Sequence, residues 1–535
     1  MDLTALLTFV GFTALVAVIA GRVTRGTNLD KSGGFFLAGR SLPWFVIAGS
    51  MVLTNISTEQ LIGLNGNAFM HGASVMAWET IAAVAMVAMA LFFLPRYLKS
   101  GITTLPQFLE QRFGRLMRSM ISLVFLTALT LSFLPFVLYS GAIGMNSLFH
   151  VDVALGISPQ ASLWLMVIAL SIAGLCYVVF GGMKAEATAD SINGIGLVLG
   201  GLLIPVLGLV KLGDGSLGTG FRSLTESRPE LLSPIGGPES SVPFSTLFTG
   251  MLIINLFYWC TNQVIIQRAL GGKSLAESQK GVLFAAVLKI IGICILVLPG
   301  IVAWHLLAAG KLDVAHQDLA YPRLVAAVLP GWLTGFFGAV MFGAILSSFN
   351  SGLTSVTTLF GMDIYKQLVR PAATDHQVVR AGRLFGLAIV CICIAIAPMI
   401  AQAPEGLYTF MRKMMAFFNI PILSIILLGV LSRRAPAFAA YIAVPVGIVF
   451  YGWVGFVHDG AVWGLKIHWL HVAGLNLVLM LSIMAVVRIL NPLPHPVVHH
   501  ISDEVDITPW RHARLAGAGV IVLVVALYLV LSQLA

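Results

Sequence analysis

The chain has 535 residues, of which 58% are hydrophobic and only 10% are charged, whereas charged residues make up about 25% of an average soluble domain. Because so few charges cannot cover a water-facing surface, the composition excludes a disordered chain, a nucleic-acid-binding protein and an ordinary soluble enzyme. The formal net charge of +9 is explained more simply by basic loops on one side of a membrane than by an anionic partner.

Apolar runs of about 18–25 residues recur along the whole chain and predict an all-α integral membrane protein with about fourteen transmembrane helices. The first run has no basic stretch before it, so we expect a spanning helix and not a cleaved signal peptide. The approximate limits of the predicted helices are 3–22, 42–66, 72–95, 117–146, 160–182, 188–210, 244–268, 279–305, 328–360, 381–401, 407–431, 436–456, 467–489 and 514–533.

The distribution of basic residues predicts how these helices are oriented. If the N-terminus lies outside, most lysines and arginines fall in cytoplasmic loops, among them Arg22, Arg40, Arg96 and Arg112. Because cytoplasmic loops are enriched in Lys and Arg, we expect a multi-pass protein of the cell (inner) membrane with both termini extracytoplasmic.

Several ionisable residues lie inside the predicted helices, where each charge costs about 2.5–3.5 kcal/mol on insertion scales. Asp190, Arg412 and Lys413 are close to helix ends, so pairing or extension toward the interface could explain them. Three others lie deeper, which favours a polar cavity shared by several helices. These three are Glu59, Glu79 and Lys289.

Two predicted helices carry small and polar residues at mid-membrane depth, in segments 47–60 and 255–263. Non-helical backbone at that depth is tolerated where it lines a cavity, and such interruptions at corresponding positions are typical of inverted-repeat transporters. The interruptions are five helices apart, which predicts a five-helix repeat. The expected organisation is an N-terminal helix at 1–25, a first repeat at 40–212, an extracytoplasmic loop at 213–243, a second repeat at 244–432 and C-terminal helices at 433–535.

The ninth predicted helix contains a small-residue segment at 343–348 that ends in Ser347 and Ser348. One explanation is purely structural: small residues allow close helix packing, and the hydroxyls bond to carbonyls of the preceding turn. Alternatively, the two hydroxyls and the carbonyls of a broken helix could supply the oxygen ligands that a dehydrated monovalent cation needs.

Five segments of the chain together resemble the sodium/solute symporter family, in particular its sodium/glucose type. The resemblance extends from about residue 30 to 435. The matching segments are 35–44, 55–60, 267–281, 347–348 and 362–366.

The resemblance implies a LeuT-type core of ten helices in two inverted repeats, with one additional N-terminal and about three additional C-terminal helices. It also implies a sodium ion as the only cofactor, and it assigns a coupling role to Asp190 on the fifth core helix. The implied sodium ligands are the carbonyls of Leu53, Ile56 and Ala344 and the hydroxyls of Ser347 and Ser348.

The same resemblance implies a sugar site. A polar collar above an aromatic ring suits a polyhydroxy compound, although Tyr258 and Trp259 could also be ordinary packing aromatics. The implied sugar contacts are Gln60, Glu79, Asn255 and Lys289, with Tyr258 stacking on the sugar ring as the inner gate.

Three positions depart from the family pattern. Arg412 replaces a sugar-binding glutamine and is followed by Lys413, and Trp78 replaces the tyrosine beside the pocket glutamate. Around Asp190, the sequence Thr188-Ala189-Asp190 replaces Trp-Thr-Asp. Because arginine binds carboxylates through two hydrogen bonds, the substrate could be an anionic sugar acid. Alternatively, the extra cations could pair with Glu59 or Glu405.

These features predict a secondary active transporter that couples sodium to a glucose- or galactose-like hexose by alternating access. The alternative is a sodium- or proton-coupled symporter of a sugar acid or another carboxylated solute. No nucleophile elbow, metal motif or phosphate loop is present in the sequence, so we do not expect an enzyme. The expected partners are the sugar, sodium and the lipid bilayer, without nucleic acid, and the expected state is a monomer or weak homo-oligomer.

Overall fold

The computed structural model describes residues 3–24, 36–402, 407–458, 460–462, 465–497 and 505–535. Within these ranges the secondary structure is almost entirely helical. The α-helices are α1 Leu3–Thr24, α2 Trp44–Asn55, α3 Thr58–His71, α4 Ala77–Ala88, α5 Leu94–Lys99, α6 Leu105–Phe113, α7 Arg115–Ala128, α8 Leu134–Phe149, α9 Val151–Leu155, α10 Pro159–Leu212, α11 Leu217–Ser227, α12 Gly250–Cys260, α13 Gln263–Leu270, α14 Leu275–Leu296, α15 Leu298–Ala308, α16 Ala320–Val328, α17 Gly331–Leu359, α18 Asp375–Ile396, α19 Leu407–Leu431, α20 Ala437–Gly452, α21 Trp469–Leu490 and α22 Ala513–Leu534.

Shorter elements connect these helices. The 3₁₀ turns are Ala38–Arg40, Gly72–Met76, Pro229–Leu232, Phe244–Phe248, Gln317–Leu319 and Ala397–Gln402. The π-helical segments are Met89–Phe93, Leu129–Phe133, Phe360–Val369 and Trp453–Val457. Two strands, β1 Ala461–Val462 and β2 Leu465–Lys466, pair antiparallel, with Ala461 opposite Lys466 and Val462 opposite Leu465.

Twelve helical segments in the described ranges are long and apolar enough to cross a membrane. Two more apolar helices, α2 and α12, are too short to cross alone. They coincide with the two helices that the sequence predicts to be interrupted, so the all-α membrane class and both interruptions are confirmed.

Helix α10 is longer than expected. The sequence predicts two helices at 160–182 and 188–210, but the structure is helical throughout Pro159–Leu212 and contains two candidate spans, Pro159–Val178 and Met183–Leu212. Both spans pack on α17, where Gly174 lies against Phe349 and Gly200 lies against Phe337. The expected connection near 183–187 is therefore part of the helix, and it places Glu186 inside the protein.

Close approaches at glycine fix the positions of the helices around the site. A Cβ atom at Gly49 would lie 2.9 Å from the Ser191 backbone, so α2 and α10 touch directly. A Cβ at Gly250 would lie 1.8 Å from the Leu470 carbonyl, so the beginning of α12 touches the beginning of α21. The first contact brings Ser50 to Asp190, and the second brings a helix from outside the expected ten-helix core to the site.

Candidate substrate and sodium site

The first interruption separates α2 from α3 at Ile56 and Ser57. The Ser57 amide donates to the Asn55 carbonyl at 3.1 Å, and the Gln60 amide donates to the Ser57 carbonyl at 3.0 Å. In a continuous helix these amides would instead donate to the carbonyls of Leu53 and Ile56. The interruption therefore takes the usual helical donor away from two carbonyls that the sequence assigns to sodium.

Helix α17 presents hydroxyl groups to this interruption. Ser347 and Ser348 are both buried within the protein and do not face lipid. The Ser348 hydroxyl donates to the Thr54 carbonyl at 2.8 Å, and the Ser347 Oγ lies 3.4 Å from the Thr54 Oγ1. Ala344 is one turn earlier on the same face of α17 and is also buried. The five expected ligand residues thus lie on two facing helices, and sodium binding there remains a prediction.

Asp190 belongs to a buried ionic cluster. Its Oδ2 accepts a 2.7 Å hydrogen bond from Ser50 and lies 3.4 Å from Arg268 Nη2. Arg268 Nε donates to Ser50 Oγ at 2.8 Å, and Nη2 also contacts Glu186 and Ser351. The cluster joins α2, α10, α13 and α17, so the pairing that would explain a charge at Asp190 is present.

Glu186 and Arg268 were not among the predicted site residues. Glu186 lies in the stretch expected to connect two helices, and Arg268 is the last residue of a predicted helix. Glu186 also accepts hydrogen bonds from Ser351 at 2.8 Å and Thr354 at 3.0 Å. The sequence did contain one signal that could have led to this cluster, Arg268 in the family-matching segment 267–281, because a buried guanidinium needs carboxylate partners.

A small cavity with a partly polar lining adjoins this cluster. Its volume is about 20 Å³, which is enough for one water-sized particle. It lies between α1, α10 and α17, next to both the ionic cluster and the proposed sodium ligands. Its polar lining consists of Thr13, Tyr177, Glu186, Asp190, Asn193, Ser347 and Asn350.

On the substrate side, Lys289 of α14 is the central residue. Its ammonium group forms an ion pair with Glu79 and donates to Asn55 Oδ1 at 2.5 Å. The same group lies 5.7 Å from the centre of the Trp259 ring. Lys289 and Glu79 are fully buried, so each charge is balanced by the other.

The other predicted sugar contacts lie on α12 and α3. Asn255 and Tyr258 are buried on α12, one turn apart and just before its end. Asn255 Nδ2 donates to the Met251 carbonyl at 3.0 Å, and the Tyr258 ring packs edge-on against Trp259 at 5.3 Å. Gln60 is buried on the first turn of α3.

Three buried acceptor oxygens on α3 and α4 have no hydrogen-bond partner among the residues that the structure describes. They are Glu59 Oε2, Gln60 Oε1 and Glu79 Oε1. Buried oxygens of this kind are ordinarily satisfied, so they indicate a place for water or a polar ligand.

Two of the three positions that depart from the family pattern, Arg412 and Trp78, lie together. The Arg412 guanidinium is 4.9 Å above the centre of the Trp78 ring, and Trp469 stacks against Trp78 at 6.4 Å. Arg412 is also close enough to Glu59 for their charges to attract each other. Glu405, the other partner considered for the extra cations, lies outside the described residues.

The second interruption separates α12 from α13 at Thr261 and Asn262. The Tyr97 hydroxyl donates to the Cys260 carbonyl at 2.9 Å, and the Thr261 hydroxyl donates to the Phe257 carbonyl at 2.9 Å. The Asn262 side chain accepts from the Val264 amide at 3.0 Å and so caps α13. Side chains of the protein therefore satisfy this interruption.

Comparison with known proteins identifies the family. The sequence profile of the Sodium:solute symporter family matches residues 35–447. The chain is 46% identical over 533 residues to the uncharacterized symporter YidK of Escherichia coli (strain K12), covering 100% of this chain and 92% of that protein. It is 32% identical over 465 residues to the sodium/glucose cotransporter of Vibrio parahaemolyticus, covering 82% and 83% of the two chains.

A solved structure supports the fold independently. A Na⁺-coupled sialic acid symporter in a substrate-bound, outward-open state aligns with a TM-score of 0.77 at 19% identity. The alignment covers 93% of this chain and 99% of that structure, which confirms the LeuT-type core. The relatives are transporters and not enzymes, as expected. The chain therefore belongs to the sodium:solute symporter family and is a multi-pass membrane protein that couples a solute to sodium.

Proposed function

We propose that the protein uses the sodium gradient to take up a neutral hexose, or a closely related polyhydroxy compound, by alternating access. The observation that carries this proposal is the set of unsatisfied acceptor oxygens on Glu59, Gln60 and Glu79, the last of which also forms the ion pair with Lys289. The sodium/glucose cotransporter relative agrees with this substrate class.

Charge balance favours a neutral substrate. Lys289 is paired with Glu79, and Arg412 lies near Glu59. A carboxylated substrate would need a cation that is not already offset by an acid, because burying an unbalanced charge is costly. Lys289 is thus offset by a direct ion pair, and Arg412 is attracted to Glu59 over a longer distance, so an additional negative charge has less to gain here than beside an isolated cation.

Hydrogen-bonding capacity favours hydroxyl groups. Glu59 Oε2, Gln60 Oε1 and Glu79 Oε1 are acceptors, and sugar hydroxyls can donate to them. A carboxylate group has no proton to donate and would meet these oxygens unfavourably. The adjacent Tyr258 and Trp259 rings offer apolar surface for the C–H groups of a sugar ring.

For the coupling ion, we propose a site formed by the carbonyls of Leu53, Ile56 and Ala344 with the hydroxyls of Ser347 and Ser348. The loss of helical donors at Leu53 and Ile56 supports it, because both carbonyls are released for another partner. Asp190 is proposed to influence coupling, since its cluster includes Ser50 on α2, and two of these carbonyls belong to Leu53 on the same helix and to Ile56 just after its end.

The sodium gradient can drive substantial accumulation. A tenfold gradient is worth about 1.4 kcal/mol, and one charge crossing 100 mV adds about 2.3 kcal/mol. One coupled sodium therefore supports about a few hundredfold accumulation of a neutral sugar. We propose that this occurs in the cell membrane, with both termini extracytoplasmic and the protein as a monomer or weak homo-oligomer.

Uptake into proteoliposomes tests the substrate and the coupling ion together. Hexoses and the corresponding sugar acids are compared with an inward sodium gradient, with a proton gradient alone and with neither. We expect hexose accumulation that depends on sodium. Accumulation of sugar acids alone would favour the second candidate, which the replacement of a neutral glutamine by Arg412 supports. Uptake driven by protons alone would contradict the proposed sodium site.

A further inference from the structure

Helix α21 lies outside the expected ten-helix core, yet its first turn is tied to the core helix α12. His471 Nδ1 lies 2.8 Å from Thr249 Oγ1, and His471 Nε2 lies 3.0 Å from Ser245 Oγ. The close approach of Gly250 to the Leu470 carbonyl adds a backbone contact at the same place. Both ring nitrogens of one histidine therefore hold this end of α21 against the segment that leads into α12, through Ser245 of the 3₁₀ turn Phe244–Phe248 and the N-cap residue Thr249.

This anchorage places Trp469, the first residue of α21, against the substrate region. Its ring is half-buried and stacks on Trp78 with a 6.4 Å centroid distance and a 22° interplanar angle. The Trp78 ring also carries the Arg412 guanidinium, and Trp78 directly precedes Glu79 of the central ion pair. A continuous series of contacts thus leads from an accessory helix to the proposed sugar site.

We propose that Trp469 is a positioning residue that sets substrate affinity by holding Trp78 in place. This inference rests on the proposed function for its choice of substrate. Aromatic stacking restricts the rotamers of Trp78 before the substrate arrives, so less side-chain entropy is lost on binding. Removal of the stacked ring therefore weakens substrate affinity more than it slows the transport cycle.

The test compares Trp469→Ala with Trp469→Phe in sodium-driven hexose uptake. We expect Trp469→Ala to raise KM by about three- to tenfold at nearly unchanged maximal rate, the range expected for loss of an aromatic pair. Trp469→Phe, which keeps an aromatic ring, should stay within about twofold of wild type. His471→Ala keeps the ring but loosens its anchorage, so it should raise KM by a smaller factor.

The matched control is Trp453→Ala. Trp453 is also close to the end of an accessory helix, but it is 59% exposed and its ring contacts His458 instead of Trp78. We expect the KM of the Trp453→Ala variant for hexose to remain at the wild-type value. In a Trp78→Ala background, Trp469→Ala should add little, because the residue through which it acts is already missing. An unchanged KM in Trp469→Ala, or full additivity with Trp78→Ala, would overturn the positioning role.

A measurement without substrate separates this inference from the proposed function. Hydrogen–deuterium exchange of the peptide covering the beginning of α4 is compared in wild type, Trp469→Ala and Trp453→Ala. Faster exchange in Trp469→Ala alone supports the positioning role, even if wild type transports no hexose and the proposed substrate is wrong. Equal exchange in all three proteins, together with normal hexose uptake, contradicts the positioning role and leaves the proposed function intact.

Discussion

The two interrupted helices look alike in sequence but differ in how their backbone groups are satisfied. At the first interruption, the amides of Ser57 and Gln60 turn to other carbonyls and leave those of Leu53 and Ile56. At the second, the Tyr97 hydroxyl donates directly to the Cys260 carbonyl. The first break therefore leaves two carbonyls without their usual helical donors, whereas at the second a hydroxyl group of the protein donates to the carbonyl that ends α12.

Lys289 connects the two regions. Its ammonium group donates to Asn55, the last residue of α2, and lies over the ring of Trp259 just before the end of α12. Its ion pair with Glu79 adds a third helix. Substitutions at this residue and at each interruption can therefore show whether the two breaks act separately.

We expect the largest effect from Lys289→Ala. The substitution leaves Glu79 buried without its partner, which typically costs about 3–5 kcal/mol. Hexose uptake at saturating sodium should fall by about a hundredfold or more. Lys280→Ala, on the same helix but partly exposed and paired with Glu277, is the control and should transport normally. Uptake by Lys289→Ala at the wild-type level would show that the two breaks do not depend on this lysine.

The next largest effect is expected from Ser348→Ala, which acts on the first interruption alone. Loss of one oxygen ligand should raise the sodium concentration for half-maximal uptake by about tenfold, since a hydrogen bond or ligand to a charge is worth about 1.5–3 kcal/mol. Ser355→Ala removes a buried hydroxyl further along α17, where it donates to the Ser351 carbonyl, and should leave sodium dependence unchanged. An unaltered sodium requirement in Ser348→Ala would remove this hydroxyl from the cation site.

Tyr97→Phe tests the second interruption and should have a smaller effect. The variant loses one neutral hydrogen bond, worth about 1 kcal/mol, so the protein should unfold at a slightly lower temperature. Its sodium requirement should match that of wild type, because the Cys260 carbonyl is not part of the proposed cation site. If Tyr97→Phe raised the sodium concentration for half-maximal uptake as much as Ser348→Ala does, the two breaks would not differ in function.

The smallest effect is expected from Arg412→Gln, which restores the residue implied by the family pattern. Because a neutral hexose carries no charge that could pair with Arg412, hexose uptake should stay within about threefold of wild type. Competition by sugar acids, measured against labelled hexose, should not change. Weaker competition in the variant would indicate that Arg412 binds a carboxylate and would favour the sugar-acid alternative.

Much of the architecture was predictable from hydropathy. Runs of apolar residues located the spans, and small or polar residues at 47–60 and 255–263 located both interruptions, because lipid does not tolerate unpaired backbone. The pairing of charges was harder to foresee. Glu186 and Arg268 are 82 residues apart and meet only because α10 and α13 both pack beside α17. No local pattern encodes such a meeting.

The contact between the accessory helix α21 and the predicted substrate site could not be foreseen from the sequence pattern either. Trp469 begins an ordinary apolar helix, and interfacial tryptophans are common at membrane surfaces. Its contact with Trp78 depends on the close approach of Gly250 to Leu470, which joins two distant segments. The resemblance to the family correctly implied the LeuT-type core, but it pointed only to residues inside that core.

The Arg268 cluster has a consequence for the direction in which the helices can separate. The guanidinium ties α13 to Glu186 and Asp190 on α10, and all three side chains are buried. Pulling such a pair apart without replacement costs several kcal/mol, more than the chemical gradient of one sodium ion provides at tenfold excess. Any movement that opens the protein between α10 and α13 must therefore let water reach the separated charges, and hydration at this point becomes a requirement for release of the cargo.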